Sequence, residues 1–159
     1  MNHHKWQGSL LVCLFLPMAG QAVAHGVECG HPFQYAGTVN LAAGNSGSVG
    51  EFTVPAGQRL QIEYVSAGIR LSTADGIAAF SVGTTAHGVF AWHPLPILRG
   101  YAAVDRLTSG VVLLYADAGS LVKLEINRGS GGSAAQAGIG QFAVSGCLYP
   151  QEKRPSGRG

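Results

Sequence analysis

From Glu51 to Ala67 the chain reads EFTVPAGQRLQIEYVSA, and the spacing of its apolar residues leaves little choice of local structure. Phe52 and Val54 alternate with polar neighbours, and Leu60, Ile62 and Tyr64 resume the alternation against Gln61 and Glu63. A period of two sends successive side chains to opposite faces of a strand, one apolar and one wet. Pro55-Ala56-Gly57 between the two runs supplies turn chemistry: proline presets φ and glycine tolerates a positive φ. The pattern predicts a β-hairpin, with Tyr64 as its one core-facing residue that carries a polar end.

The rest of the chain follows the same grammar. Val39 and Leu41 mark an earlier strand, and AGNSGS at residues 43–48 is a loop. Residues 69–73 and 77–82 flank Ala74-Asp75-Gly76, and an Asp-Gly pair between alternating runs predicts a tight hairpin. Residues 86–92 read as one strand, ended by His93-Pro94-Leu95-Pro96 because proline cannot donate to a ladder. Residues 97–104 continue in extended form, and residues 111–116 and 121–128 bracket a turn at Asp117-Ala118-Gly119. A Gly/Ser-rich loop at residues 129–135 precedes a last strand in which Phe142, Val144 and Leu148 share a face. No stretch carries a helical period. Eight or nine short strands joined by glycine turns predict an all-β domain, a two-sheet antiparallel β-sandwich of jelly-roll type.

Two phrases carry a resemblance. Val54-Pro55-Ala56-Gly57 followed by Arg59-Leu60 and Ile62-Glu63-Tyr64-Val65-Ser66 is one, and Leu114-Tyr115-Ala116-Asp117-Ala118-Gly119 closing on Val144-Ser145-Gly146 is the other. Together they resemble small all-β proteins of bacteria that have no known activity. The resemblance implies the fold and brings no site.

Residues 1–24 have the three parts of a secretory leader: Lys5 in a basic start, an apolar run from Leu10 to Met18, and Ala22-Val23-Ala24 as a small-x-small cleavage site. The expected mature chain starts at His25. The apolar run is too short to span a bilayer, and Cys13 lacks the small residue that a lipid-attachment site places before its cysteine. Cleavage leaves about 135 residues, enough for one domain with its own core. That domain is expected over residues 25–150, with QEKRPSGRG at 151–159 as a basic, disordered tail. The formal net charge of +2 nearly cancels once leader and tail are set aside, which argues against nucleic acid and anionic membranes as partners. Charged residues make up only 11% of the chain, so its wet faces must be built from Gly, Ser, Thr, Asn and Gln. Cys29 and Cys147 survive cleavage at opposite ends of the domain. In an exported protein that arrangement favours a disulfide, two separate thiols being the other reading.

Fragments that look catalytic have plainer readings. Gly44-Asn45-Ser46-Gly47 resembles the serine loop of chymotrypsin-like proteases, but in the expected mature chain only His25 and His31 lie upstream, with no Asp between them and the serine. Without an assembled His and Asp that mechanism has no base, and a Gly/Ser turn explains the run. The glycines at 129–133 lack the lysine and helix of a phosphate cradle. Asp75 and Asp117 sit in turns, and Glu63 and Glu125 alternate with apolar residues and face solvent. No spacing matches a calcium loop. Catalysis is not expected.

Histidine raises the question of a metal. His87 and His93 share a face on one unbroken strand, yet six residues separate them by about 20 Å. One ion cannot reach both, since imidazole nitrogens must approach to about 2.1 Å, and each reads as a surface or turn histidine. His25 differs, because cleavage makes it N-terminal, with an amine and a ring nitrogen to offer Cu(II). That arrangement resembles the histidine brace of lytic polysaccharide monooxygenases and the N-terminal His of periplasmic copper carriers. The resemblance implies copper held by His25 with His87 or His93.

Phe90 and Trp92 lie on one face of their strand. Facing inward they are core, the ordinary place for such rings. Facing outward, with His93 beside them, they are a site for a carbohydrate or a protein ligand. The function expected from the sequence is therefore an exported β-sandwich with a binding or assembly role. A copper protein and a purely structural protein are the alternatives.

Overall fold

The computed structural model describes residues 29–71, 77, 79–100, 105–128 and 137–151. The expected leader, His25, the Asp75-Gly76 turn, the Gly/Ser loop and the tail from Glu152 onward lie outside the described residues. The described residues form nine strands: β1 (His31–Leu41), β2 (Gly47–Thr53), β3 (Gln58–Leu71), β4 (Ala79–Ala86), β5 (Val89–Leu95), β6 (Leu98–Arg99), β7 (Asp105–Ala116), β8 (Leu121–Asn127) and β9 (Gly138–Pro150). They form two antiparallel sheets, β1-β9-β3-β7-β6 and β2-β8-β4-β5, packed as the predicted sandwich. Among the described residues no helix is long and apolar enough to cross a membrane.

The pairings are nested. β1 pairs with β9, β2 with β8, β3 with β7 and β4 with β5, so the chain is one long ribbon doubled back at His87-Gly88. Rolling that ribbon up brings β3 beside β9 and β4 beside β8, the jelly-roll-like path. The ribbon crosses from sheet to sheet as a unit. Where β2 leads to β3 and β7 leads to β8, the two crossings bond each other: the Val54 N–H donates to the Ser120 carbonyl at 2.9 Å, and the Gly119 N–H donates to the Val54 carbonyl at 3.1 Å.

Three local expectations are corrected. Residues 51–67 are not a hairpin, because β2 and β3 belong to different sheets, and Pro55-Ala56-Gly57 carries the chain over the core between them. The strands on either side of Asp75-Gly76 are likewise split between the sheets. Alternation reports which face is buried and is silent about which strand lies alongside, and fully buried Val54 and Leu60 satisfy it equally well across two layers. Tyr64 does not face the core either. The register of β3 against both neighbours shifts between Ile62 and Tyr64, so Glu63 and Tyr64 both point out and Val65 takes the core position.

The core lies between the sheets. Leu60, Ile62, Val65 and Val144 from one sheet meet Phe80, Val82, Val122 and Ile126 from the other, all essentially inaccessible. At one end Tyr35 stacks on Phe52 at 4.4 Å between centroids and tilts against Phe142 at 5.9 Å. Gly50 makes room for this cluster, since a Cβ there would come within 2.5 Å of the Phe142 ring.

Cys29 and Cys147 are joined, with Cα atoms 5.4 Å apart at a sequence separation of 118. The bond closes the open end of the ribbon, beside the first rungs of β1 and β9. Cross-linking so long a loop removes much of the unfolded chain's freedom, about 4–5 kcal/mol in the chain-entropy account. Replacing both cysteines by alanine is expected to lower unfolding stability by about 2–5 kcal/mol, measured as a fall in the denaturant midpoint relative to the oxidised protein.

Candidate functional site

The β4–β5 hairpin at the edge of the four-stranded sheet carries the exposed aromatic residues. Residues directly opposite each other share a face. Phe80, Val82 and Thr84 are buried, and their partners Leu95, His93 and Ala91 lie on that inner side. Phe90, Trp92 and Pro94, opposite Thr85, Gly83 and Ser81, therefore point outward. Phe90 is 45% exposed and Trp92 43%, which replaces the reading of these rings as core. Their centroids are 5.2 Å apart with planes at 88°, the edge-to-face arrangement that ring quadrupoles favour.

Gly83 seats the pair. A Cβ at that position would lie 2.7 Å from Phe90 Cζ and 2.9 Å from Trp92 Cζ3, so only a bare backbone lets both rings settle onto the sheet. Behind them, β8 places Lys123 opposite Gly83 and Glu125 opposite Ser81. The Lys123 ammonium stands 6.0 Å from the Phe90 centroid, at the limit of a cation–π contact. Glu51 on β2 faces Lys123 from the far side. The result is a rigid apolar surface bordered by one cation, two carboxylates and a serine.

His93 is not part of it. The strand runs on through Pro94 to Leu95 instead of ending at His93, which the outer edge of a sheet permits because no further strand needs the missing N–H. His93 is half-buried on the inner side, with Nε2 3.3 Å from Thr84 Oγ1. Of Phe90, Trp92 and His93, the fold brings only the two rings together on one face.

His87 is a turn histidine. Residues 86–92 are not one strand: His87 and Gly88 form the two-residue turn between β4 and β5, with φ of 54° and 79°. Two positive φ angles match the twist of the flanking strands, and His is among the residues that enter this region at modest cost. Asp117, in the ribbon's crossing turn, locks the tip. Its Oδ2 accepts the Gly88 N–H at 2.9 Å, and its own N–H donates to the Thr85 carbonyl at 2.7 Å. Arg59 Nη2 donates to His87 Nε2 at 3.0 Å. The same guanidinium lies 4.9 Å over the Tyr115 ring and 3.9 Å from Asp117. Gln151, counted from sequence with the tail, bonds to Gly57 through its N–H and to the Ala118 N–H through its side chain.

This polar cluster was not seen in the sequence. Its only signal was His87-Gly88 between two alternating runs, read there as strand. For copper, the arrangement is unfavourable at His87, whose Nε2 already faces a fixed cation, and His93 is on the inner side of β5. His25 lies outside the described residues. Among the described residues no three His, Cys, Asp or Glu side chains gather to hold an ion.

Burial pushes the Asp117 carboxyl up, but the Gly88 and His87 N–H groups and the Arg59 charge outweigh it and hold the carboxyl below its ordinary value. A depressed carboxyl contributes stability above its unfolded value, about 3.9, and loses it as pH falls through the folded value. Asp117→Ala is expected to cost about 1–3 kcal/mol at pH 7. Urea titrations over a pH series should show that gap closing as pH drops below about 4.

No known protein-family pattern and no curated protein matches the chain. Among solved structures it is similar to a family two carbohydrate esterase from Cellvibrio japonicus, at 14% identity with a TM-score of 0.27. The match covers 77% of this chain, which spans only 38% of the esterase. A likeness of that degree says nothing about the site.

Proposed function

We propose that this protein is an exported binding module that holds a carbohydrate against Phe90 and Trp92. The observation that carries the reading is the outward pair itself: two rings nearly half exposed, borne on paired strands and seated on Gly83. Large rings in such a position gain nothing for the core and offer an apolar face to a partner. The C–H face of a sugar ring fits that surface, and Ser81, Lys123 and Glu125 stand on neighbouring strands to meet its hydroxyls. Export is supported by the leader-like residues 1–24 and by the Cys29–Cys147 bond, which persists in oxidising compartments. The reading includes no chemical step, and the polar cluster around His87 serves to hold a turn.

Past His25 the chain has a single tryptophan, Trp92, so its fluorescence reports on the site directly. Emission is expected to be red-shifted and readily quenched by acrylamide in the free protein, and protected by bound ligand. Affinity electrophoresis against neutral and acidic polysaccharides should show retardation that Trp92→Ala weakens about tenfold or more. A blue-shifted, quencher-resistant Trp92 would sink the proposal, as would retention of a protein partner with no response to any polysaccharide.

A further inference from the structure

The opposite face of the sandwich holds a separate concavity. A groove of about 1030 Å³ crosses the outer surface of the five-stranded sheet. Its floor follows from register. Ala36 lies opposite Ala143, Ala143 opposite Ser66, and Ser66 opposite Ser109, so four small side chains form one straight row over β1, β9, β3 and β7. In the next row Thr38, Gln141 and Gly68 are followed by Leu107, and beyond it Arg70 faces Asp105. At strand spacings of 4.7–4.9 Å the floor is about 14 Å long and runs across the strands.

The chemistry of the lining selects an occupant. The floor strands β9 and β3 have neighbours on both sides, so their backbone groups are spent in ladders and an added peptide strand would find none to pair with. The charges at the rim cancel, because Arg70 Nε and Nη2 donate to the two Asp105 oxygens at 2.8 and 3.3 Å. What remains for a ligand is the hydroxyls of Ser66, Ser109 and Thr38 and the amide of Gln141, groups that donate and accept alike, with Leu98, Leu107 and Ile139 as apolar edges. A narrow, extended molecule without charge, rich in hydroxyls and with apolar ring faces, matches that set.

We propose that this groove is a second binding site, which takes an uncharged oligosaccharide laid across the strands of the five-stranded sheet. It stands independently of the Phe90–Trp92 reading, on the other face of the molecule. With both sites filled, one domain ties two glycan chains together.

The disulfide-bonded protein would be titrated with hexamers of the cello-, xylo-, manno- and chito-series by calorimetry. Saturable binding to at least one is expected, insensitive to salt. Ser66→Trp fills the floor and should weaken it about tenfold or more. Gln141→Ala empties one polar position without filling the groove and should weaken it severalfold, so the test survives if the bulky variant misfolds. Trp92→Ala should leave a saturable component in place. No saturation with any of the four at millimolar concentration overturns the proposal. So does binding that both groove variants keep and Trp92→Ala abolishes, or binding that appears only with charged polymers and fades with salt.

Discussion

Backbone pairing along a single rolled ribbon is the constraint on which the rest of this structure depends. Each of the four nested pairings joins segments progressively further apart in sequence, from β4 with β5 at the tip to β1 with β9 at the base. The hydrophobic layer forms only once the ribbon is rolled, since β2 and β8 face β1, β9 and β3 across the core rather than along a sheet edge. Two devices hold the ribbon closed: the Asp117 clasp on the His87-Gly88 tip and the disulfide at the open end. Contacts so non-local place the domain among the slow-folding topologies, and a disulfide of this span acts where loop-closure entropy is greatest.

The fold class was legible in the sequence because a strand period survives in every long segment, and the strand count follows from the turns between them. Neighbour relations were not legible. Residues 51–67 show why: Phe52, Val54, Leu60 and Ile62 are all buried as their spacing requires, yet they line two different sheets. A one-residue event was enough to reverse Tyr64, since a bulge changes parity without leaving a compositional mark. His87-Gly88 misled for the opposite reason. Histidine is an uncommon first residue of a two-residue turn, and its positive φ is sustained by Arg59 and Asp117 from distant parts of the chain.

The same limit governed the binding surfaces. Phe90 and Trp92 could be placed on one face from spacing alone, but whether that face was inner or outer depended on Val82 and Thr84 claiming the core side of the partner strand. The groove was invisible for a stronger reason. Ala36, Ser66, Ser109 and Ala143 are unremarkable small residues scattered over more than a hundred positions, and only the register of four strands sets them in line. Small side chains in a row make a surface feature by absence of bulk, which no single residue announces.

The position of the disulfide has a mechanical side. Cys29 precedes the first strand and Cys147 lies near the end of the last, so the bond sets both ends of the strand ribbon at one corner of the sandwich. Tension applied at those two ends passes from one cysteine to the other by a covalent path, leaving most of the β1–β9 ladder unloaded. While the bond is intact, the domain behaves as a knot in a cord; once it is reduced, the same pull opens the ladder one rung at a time from its base.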